Sequence, residues 1–215
     1  MNLNFLLTLN IQTMTSVVKS NFKNWAIEQH TKTNHFYDEN LPYSFHLKLV
    51  VAKATKFKNV WSNLYGDQKF PIMYNACWGH DLMEDARVTY NDIIRFLTKG
   101  SASDYTIREA KEVAEIIRAC TVDVRGRNRA ERQSPSYYEA IRTTSGAIFV
   151  KLCDRIANVE YGKLTGSSMF DKYKEENKEF LEKLGLTNTN EAYTAFGESY
   201  RPMIQYLYNL LELHQ

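Results

Sequence analysis

Cysteine, proline, long apolar runs and a decided excess of charge are all scarce in this chain, and each scarcity excludes something. The three cysteines among 215 residues, Cys77, Cys120 and Cys153, are an odd number, widely spaced and set in apolar text, so no disulfide framework is implied. They read as buried, reduced thiols of a cytoplasmic protein. Lysine and arginine total 27 against 25 acidic residues, a formal net charge of +2. That balance argues against a nucleic-acid binder, whose phosphate contacts normally leave a clear basic excess. The stretch Phe5-Leu6-Leu7-Thr8-Leu9 falls far short of the roughly 20 apolar residues of a membrane span. It also lacks the positive cluster and cleavage signal of a leader peptide, so neither membrane insertion nor secretion is expected. Internal repeats, low-complexity tracts and sustained period-two segments are missing too.

What remains is ordinary for a globular domain, with 44% hydrophobic and 24% charged residues, and the length suits one domain with a sizeable core. Apolar positions recur at helical spacing nearly throughout. The pattern predicts an all-α, single-domain fold with helices at about 11–30, 44–57, 70–83, 90–98, 106–120, 136–145, 147–161, 169–184 and 190–213. The four prolines, Pro42, Pro71, Pro135 and Pro202, mostly fall near these starts, and Pro202 predicts a break near Tyr200. Near the C-terminus Ile204, Leu207, Leu210 and Leu211 draw an apolar stripe expected to pack on the domain, with a homodimer surface as the alternative.

The chemistry gathers at His80-Asp81-Leu82-Met83-Glu84-Asp85. On a helix, residues three and four apart share a face, which sets Glu84 beside His80 and Asp81, and Asp85 beside Asp81. Three carboxylates and an imidazole on one turn repel one another unless a cation sits among them. The apolar lead-in from Phe70 to Gly79 points to a buried location, where an unpaired carboxylate costs several kcal/mol. A solvated helix end is the plainer alternative, and further ligands must decide. His46 lies at the edge of the stripe formed by Leu47, Val50, Val51 and Ala54, and Asp154 lies in the apolar run 147–159 with Asn158 four residues on. Either alone is as well explained by a local partner: a carbonyl for His46, Arg155 for Asp154. Together with His80 and Asp81 they supply two imidazoles and two carboxylates on apolar helices, a set suited to Mn, Fe or Zn.

The order and flanking text of these residues resemble the HD-domain metal-dependent phosphohydrolases, and most closely the hydrolase domain of RelA/SpoT-type alarmone enzymes and their small stand-alone relatives. Pro42-Tyr43-Ser44-Phe45-His46-Leu47-Lys48-Leu49-Val50 fits the family's Pro-Tyr-x-x-His-x-x-x-Val segment. His80 to Asp85 with Thr89 fits His-Asp-x-x-Glu-Asp-x-x-x-Thr, and Lys151-Leu152-Cys153-Asp154-Arg155-Ile156-Ala157-Asn158 fits Lys-Leu-x-Asp-Arg-x-x-Asn. Glu112-Val113-Ala114-Glu115-Ile116-Ile117 looks like the helix that precedes the family's basic loop. The resemblance covers roughly residues 30 to 165.

It implies an HD-domain fold divided into an N-terminal helical segment (1–30), a hydrolase core (31–165) and C-terminal helices (166–215) packing on the same domain. It also implies one metal, usually manganese, held by His46, His80, Asp81 and Asp154, with Glu84 and Asp85 orienting and deprotonating a water. The implied reaction removes the 3'-pyrophosphate of guanosine 3',5'-bis(diphosphate), ppGpp, giving GDP and pyrophosphate; no second, nucleotide-synthesising domain is expected. One departure bears on the base: Tyr37 stands where a basic residue usually faces the guanine, although a tyrosine can also stack on a purine. Hydrolysis of another nucleotide, a nucleoside mono- or triphosphate, is therefore the alternative, and a non-catalytic sensor is disfavoured because every ligand and both acids are present. Four arginines fall within Arg125 to Arg132, between two site-bearing segments, and forked guanidinium groups suit phosphate. Arg125 and Arg127 are taken as substrate contacts with Tyr37, Lys151 and Asn158. Lys151, like Lys48, otherwise reads as a helix-surface charge.

Overall fold

Two helices are apolar on nearly every face, and the rest of the chain is arranged around them. The computed structural model describes residues 21–99, 105–122, 126–187 and 195–213. Among these, α-helix dominates and one small antiparallel hairpin is present, so the fold is all-α. In chain order come α1 (Phe22–Lys32), the hairpin of β1 (Phe36–Asp38) and β2 (Leu41–Pro42), α2 (Ser44–Lys56) and α3 (Lys58–Tyr65). A 3-10 turn (Asp67–Lys69) leads into α4 (Phe70–Gly79), then α5 (Leu82–Asp85), α6 (Tyr90–Thr98) and α7 (Ile107–Cys120). α8 (Arg129–Arg132), α9 (Pro135–Thr143), α10 (Ala147–Thr165), α11 (Ser168–Lys183), α12 (Ala195–Ser199) and α13 (Arg201–Leu211) follow.

α4 buries eight of its ten residues, and α10 buries Ile148, Phe149, Leu152, Cys153, Ile156, Ala157 and Val159 along with Asp154 and Arg155. A helix apolar on all sides belongs in the interior. α2 packs along α10, and both pack on α4, so the three helices expected to carry ligands touch one another. Buried apolar residues from Phe22 to Leu211 form one cluster, and α11 and α13 pack against α10. Ile204, Leu207 and Leu211 are buried in that cluster, as the C-terminal stripe predicts. All three cysteines are buried and free. Among the described residues no helix is long and apolar enough to cross a membrane.

Local signals place the helix ends. Pro71, Pro135 and Pro202 sit in the first turns of α4, α9 and α13, where a missing N–H costs nothing. α12 and α13 part at Tyr200, as Pro202 predicts. Thr89, a member of the motif around His80, caps α6: its side chain accepts from the Asp92 N–H at 3.2 Å while Asp92 reaches back to the Thr89 N–H at 3.1 Å.

The structure departs from the expected elements in several places, among them the short helix α8 in the arginine-rich segment expected to be a loop. The helix expected over 70–83 ends at Gly79; Asp81 swings to φ −106°, ψ 5°, and its carbonyl accepts the Asp85 N–H at 2.9 Å to open α5. Apolar residues on both sides of that corner hide it from periodicity. Past Lys56 the chain turns at Phe57 and continues as α3, an unforeseen helix whose buried residues are only Val60 and Trp61. The hairpin is also unforeseen, because strands of three and two residues are too short to show a period of two. Finally, α1 runs on to Lys32, and the expected helical residues 11–20 and 190–194 lie outside the described residues.

Candidate metal centre

His46 faces inward from the first turn of α2, His80 lies at the corner after α4, and Asp154 lies at mid-length in α10. Their ligand atoms lie within 4.8 Å of one another, and all three residues are buried. His46 Nε2 is 3.2 Å from His80 Nε2 and 3.3 Å from Asp154 Oδ1, and His80 Nε2 is 3.8 Å from that oxygen. Ligands bound to one ion at about 2.0–2.2 Å stand roughly 3 to 3.5 Å apart, so this spacing suits a shared cation. His80 Nδ1 donates to the Cys77 carbonyl at 2.9 Å, which orients the ring with Nε2 directed at the cluster. These residues form a buried group able to hold a divalent metal. Asp81 adjoins them, with Oδ2 2.7 Å from His80 Nε2 and 3.7 Å from His46 Nε2.

Charge compensation follows the same lines. Burial works against a charge on His80, yet Asp81 and Asp154 outweigh it and raise the imidazole to about 9. Asp154 and Asp81 are both held well below the ordinary carboxylate range against the cost of burial, Asp154 chiefly by Lys151 and Asp81 chiefly by His80. Lys151 is not the surface charge its sequence position suggests. Its side chain is 15% exposed and its Nζ binds Asp154 Oδ2 at 2.9 Å. An apolar helix offers no solvated face at that position, so the ammonium is drawn to the carboxylate one turn away. Asn158 Nδ2 holds the other oxygen, Oδ1, at 2.6 Å.

The corner at Asp81 sets Glu84 and Asp85 on their own short helix, so Glu84 does not share a helix face with His80 as expected, but both carboxyls line one cavity with His46, Asp81 and Asp154. Burial and the charge on Asp81 raise both carboxyls; Asp85, with Glu84 also beside it, rises to about 7. Glu84 accepts the Val122 N–H at 3.4 Å. This cavity, of about 260 Å³, is also lined by Tyr37, Lys151 and Asn158. The Tyr37 ring stacks on His46 at 4.7 Å, and its hydroxyl donates to Asn158 Oδ1 at 2.9 Å. The hairpin brings Tyr37 there, pinned by the Tyr161 hydroxyl on Asp38 Oδ2 at 2.6 Å.

No model of a known protein family matches this chain, and no curated protein matches it.

Of the two arginines expected to contact substrate, Arg125 lies outside the described residues. Arg127 is 89% exposed and turned to Glu131, at 3.4 Å, and does not line the cavity. Glu131 also accepts the Arg127 backbone N–H at 2.9 Å, so both contacts stay within that turn. Arg132 and Arg155 line the cavity instead. The Arg155 guanidinium lies between the rings of Tyr173 and Phe180, 4.5 and 4.1 Å from their centroids. Tyr43, whose hydroxyl binds Asp81, also lines the cavity and stands three residues before His46. His30 shares a buried stripe with Phe22 and Ala26 at spacing four, where an imidazole is out of place.

Proposed function

We propose that this protein is a metal-dependent phosphohydrolase that removes the 3'-pyrophosphate of ppGpp to give GDP and pyrophosphate. One observation carries the reading: His46 and Asp154, two of the buried group His46, His80 and Asp154, line a single cavity together with two carboxyls, Glu84 and Asp85, both raised above the ordinary carboxylate range. His46, His80, Asp81 and Asp154 would hold the ion, with manganese as the metal that the resemblance implies. A bound divalent ion would acidify a water and neutralise charge on a phosphoryl oxygen.

The chain's own groups supply the rest. A base works best when its pKa lies near the working pH, and Asp85, at about 7, fits that better than an ordinary aspartate. Lys151 and Asn158 grip the two oxygens of Asp154 and fix which one faces the histidines. Arg132 offers a guanidinium group to phosphate at the cavity wall, while Arg155, which also lines it, is paired with Glu176 at 3.8 Å. Tyr37 presents an aromatic ring beside the site in place of a cation.

A second reading, hydrolysis of a smaller nucleotide such as a nucleoside monophosphate, draws on two observations. The cavity of about 260 Å³ falls below the roughly 300–1,000 Å³ usual for drug-sized ligands. Arg127 is also turned away from the cavity, which leaves fewer cations for a second pyrophosphate. The test is an assay with Mn²⁺ on ppGpp and on a panel of mono- and triphosphates, with His80→Ala and Glu84→Gln in parallel. Pyrophosphate release from ppGpp that disappears in both variants is the expected result. Phosphate release from a monophosphate with ppGpp untouched selects the second reading, and inactivity on the whole panel rejects both.

A further inference from the structure

We propose that Tyr43 is a positioning residue whose hydroxyl orients Asp81 on the metal side of the cavity. This role rests on the reading of the His46, His80, Asp81 and Asp154 group as a metal site. Tyr43 directly precedes α2, one turn ahead of His46, and follows Pro42 of the hairpin. Its side chain is buried, and its hydroxyl donates to Asp81 Oδ2. A phenol has one proton to give, and giving it to Asp81 Oδ2 fixes the orientation of that carboxylate beside the histidines.

Three imidazoles pack around the ring. His30 of α1 stacks on it with centroids 4.5 Å apart and planes at 23°, and His35 stacks on it at 4.2 Å and 19°, the two imidazoles being 6.0 Å from each other. His46 meets its edge at 5.4 Å and 62°. These contacts restrict the rotamers open to the phenol and so the positions open to its hydroxyl. His35 extends the contact, with Nδ1 3.7 Å from Asp85 Oδ2. Elements distant in sequence, α1 and the turn before β1, are thereby joined to the corner that carries Asp81 and to α5. Groups one step behind a metal ligand normally orient it, and their loss typically weakens metal affinity 10- to 100-fold.

Tyr43→Phe keeps the ring contacts and removes only the hydroxyl. The measurement is Mn²⁺ binding by the full chain, read from the electron paramagnetic resonance of free Mn²⁺, so it needs no substrate. The expected result is Mn²⁺ affinity about ten-fold weaker than wild type, with an unchanged circular dichroism spectrum. Steady-state kinetics on whichever nucleotide is turned over should show kcat falling while KM stays close to wild type. His35→Ala, which removes a partly exposed ring stacked on Tyr43, should weaken Mn²⁺ binding in the same direction but less, and it serves if Tyr43→Phe does not fold. Wild-type Mn²⁺ affinity in the folded variants overturns the role of Tyr43 and leaves the metal reading intact. A wild-type chain that takes up no Mn²⁺ overturns the metal reading and the role of Tyr43 together.

Discussion

His30 is an imidazole buried to 1% exposure, with no hydrogen-bond partner for either ring nitrogen among the described residues. Burial is the main cause that drives its pKa down, from the ordinary 6.5 to about 4, with Asp81 opposing and His80 and His35 reinforcing. The unfolded chain therefore takes up this proton before the folded one does. Stability contributed by neutral His30 is intact above pH 6.5 and is lost as the pH falls toward 4, by about 3 kcal/mol in all. His30→Phe preserves the stack on Tyr43 and removes the titration. Urea denaturation at pH 7 and at pH 4.5 should show the variant losing less stability on acidification than wild type; equal losses would sink the idea. His46, His80, Asp81 and Asp154 are legible in the sequence because each is a ligand type set in apolar text. Tyr43 and His30 are not, since an aromatic residue at a helical spacing reads as core until its hydroxyl or ring nitrogens are located. Lys151 misleads for a related reason: one residue type serves both a solvated surface and a buried ion pair, and only the packing of α10 decides between them.

At the scale of elements, placement of Lys151, Asp154 and Asn158 depends on how α10 begins. Gly146 caps it in the left-handed region at φ 89°, and a Cβ built there would lie 2.9 Å from Trp61 Cη2 and 3.1 Å from Ile116 Cδ1. The indole is 1% exposed and packed edge-on against Phe149 at 5.4 Å, so it has no room to retreat. A non-glycine residue in the left-handed region costs roughly 1–2 kcal/mol and overpacking a core roughly 1–3. Gly146→Ala should therefore destabilise the chain by about 2 kcal/mol or more, seen as a fall of several degrees in Tm; an unchanged Tm would mean that α10 does not need this cap. The existence of α10 is plain from its periodicity, whereas the corner between α4 and α5 is not. Gly79 lies against Ile117 and Phe22 there, where a Cβ would come within 2.6 Å of Ile117 Cδ1. Sequence spacing treats residues 70–83 as one helix because the apolar pattern runs across the corner, and tertiary packing on α7 and α1 decides otherwise.

Across the whole molecule, the three donors of the candidate centre come from helices far apart in the chain: His46 in α2, His80 after α4 and Asp154 in α10. No covalent link joins them, and the contacts among these helices are the middle of the single core. An ion bound by all three must be released when that core opens, so its binding energy adds to the stability of the entire fold. At a Mn²⁺ concentration one hundred times its Kd the gain is about 2.7 kcal/mol, which for a chain of this size raises Tm by roughly 5 to 10 °C. A chelator should reverse the shift. His46→Ala and Asp154→Ala should each abolish it although their positions are 108 residues apart in the sequence. A shift that survives either substitution would place the ion on the acidic cluster of Asp81, Glu84 and Asp85 alone. In that case binding would involve a single corner of the chain, and the convergence of α2, α4 and α10 would be a matter of packing rather than of metal chemistry.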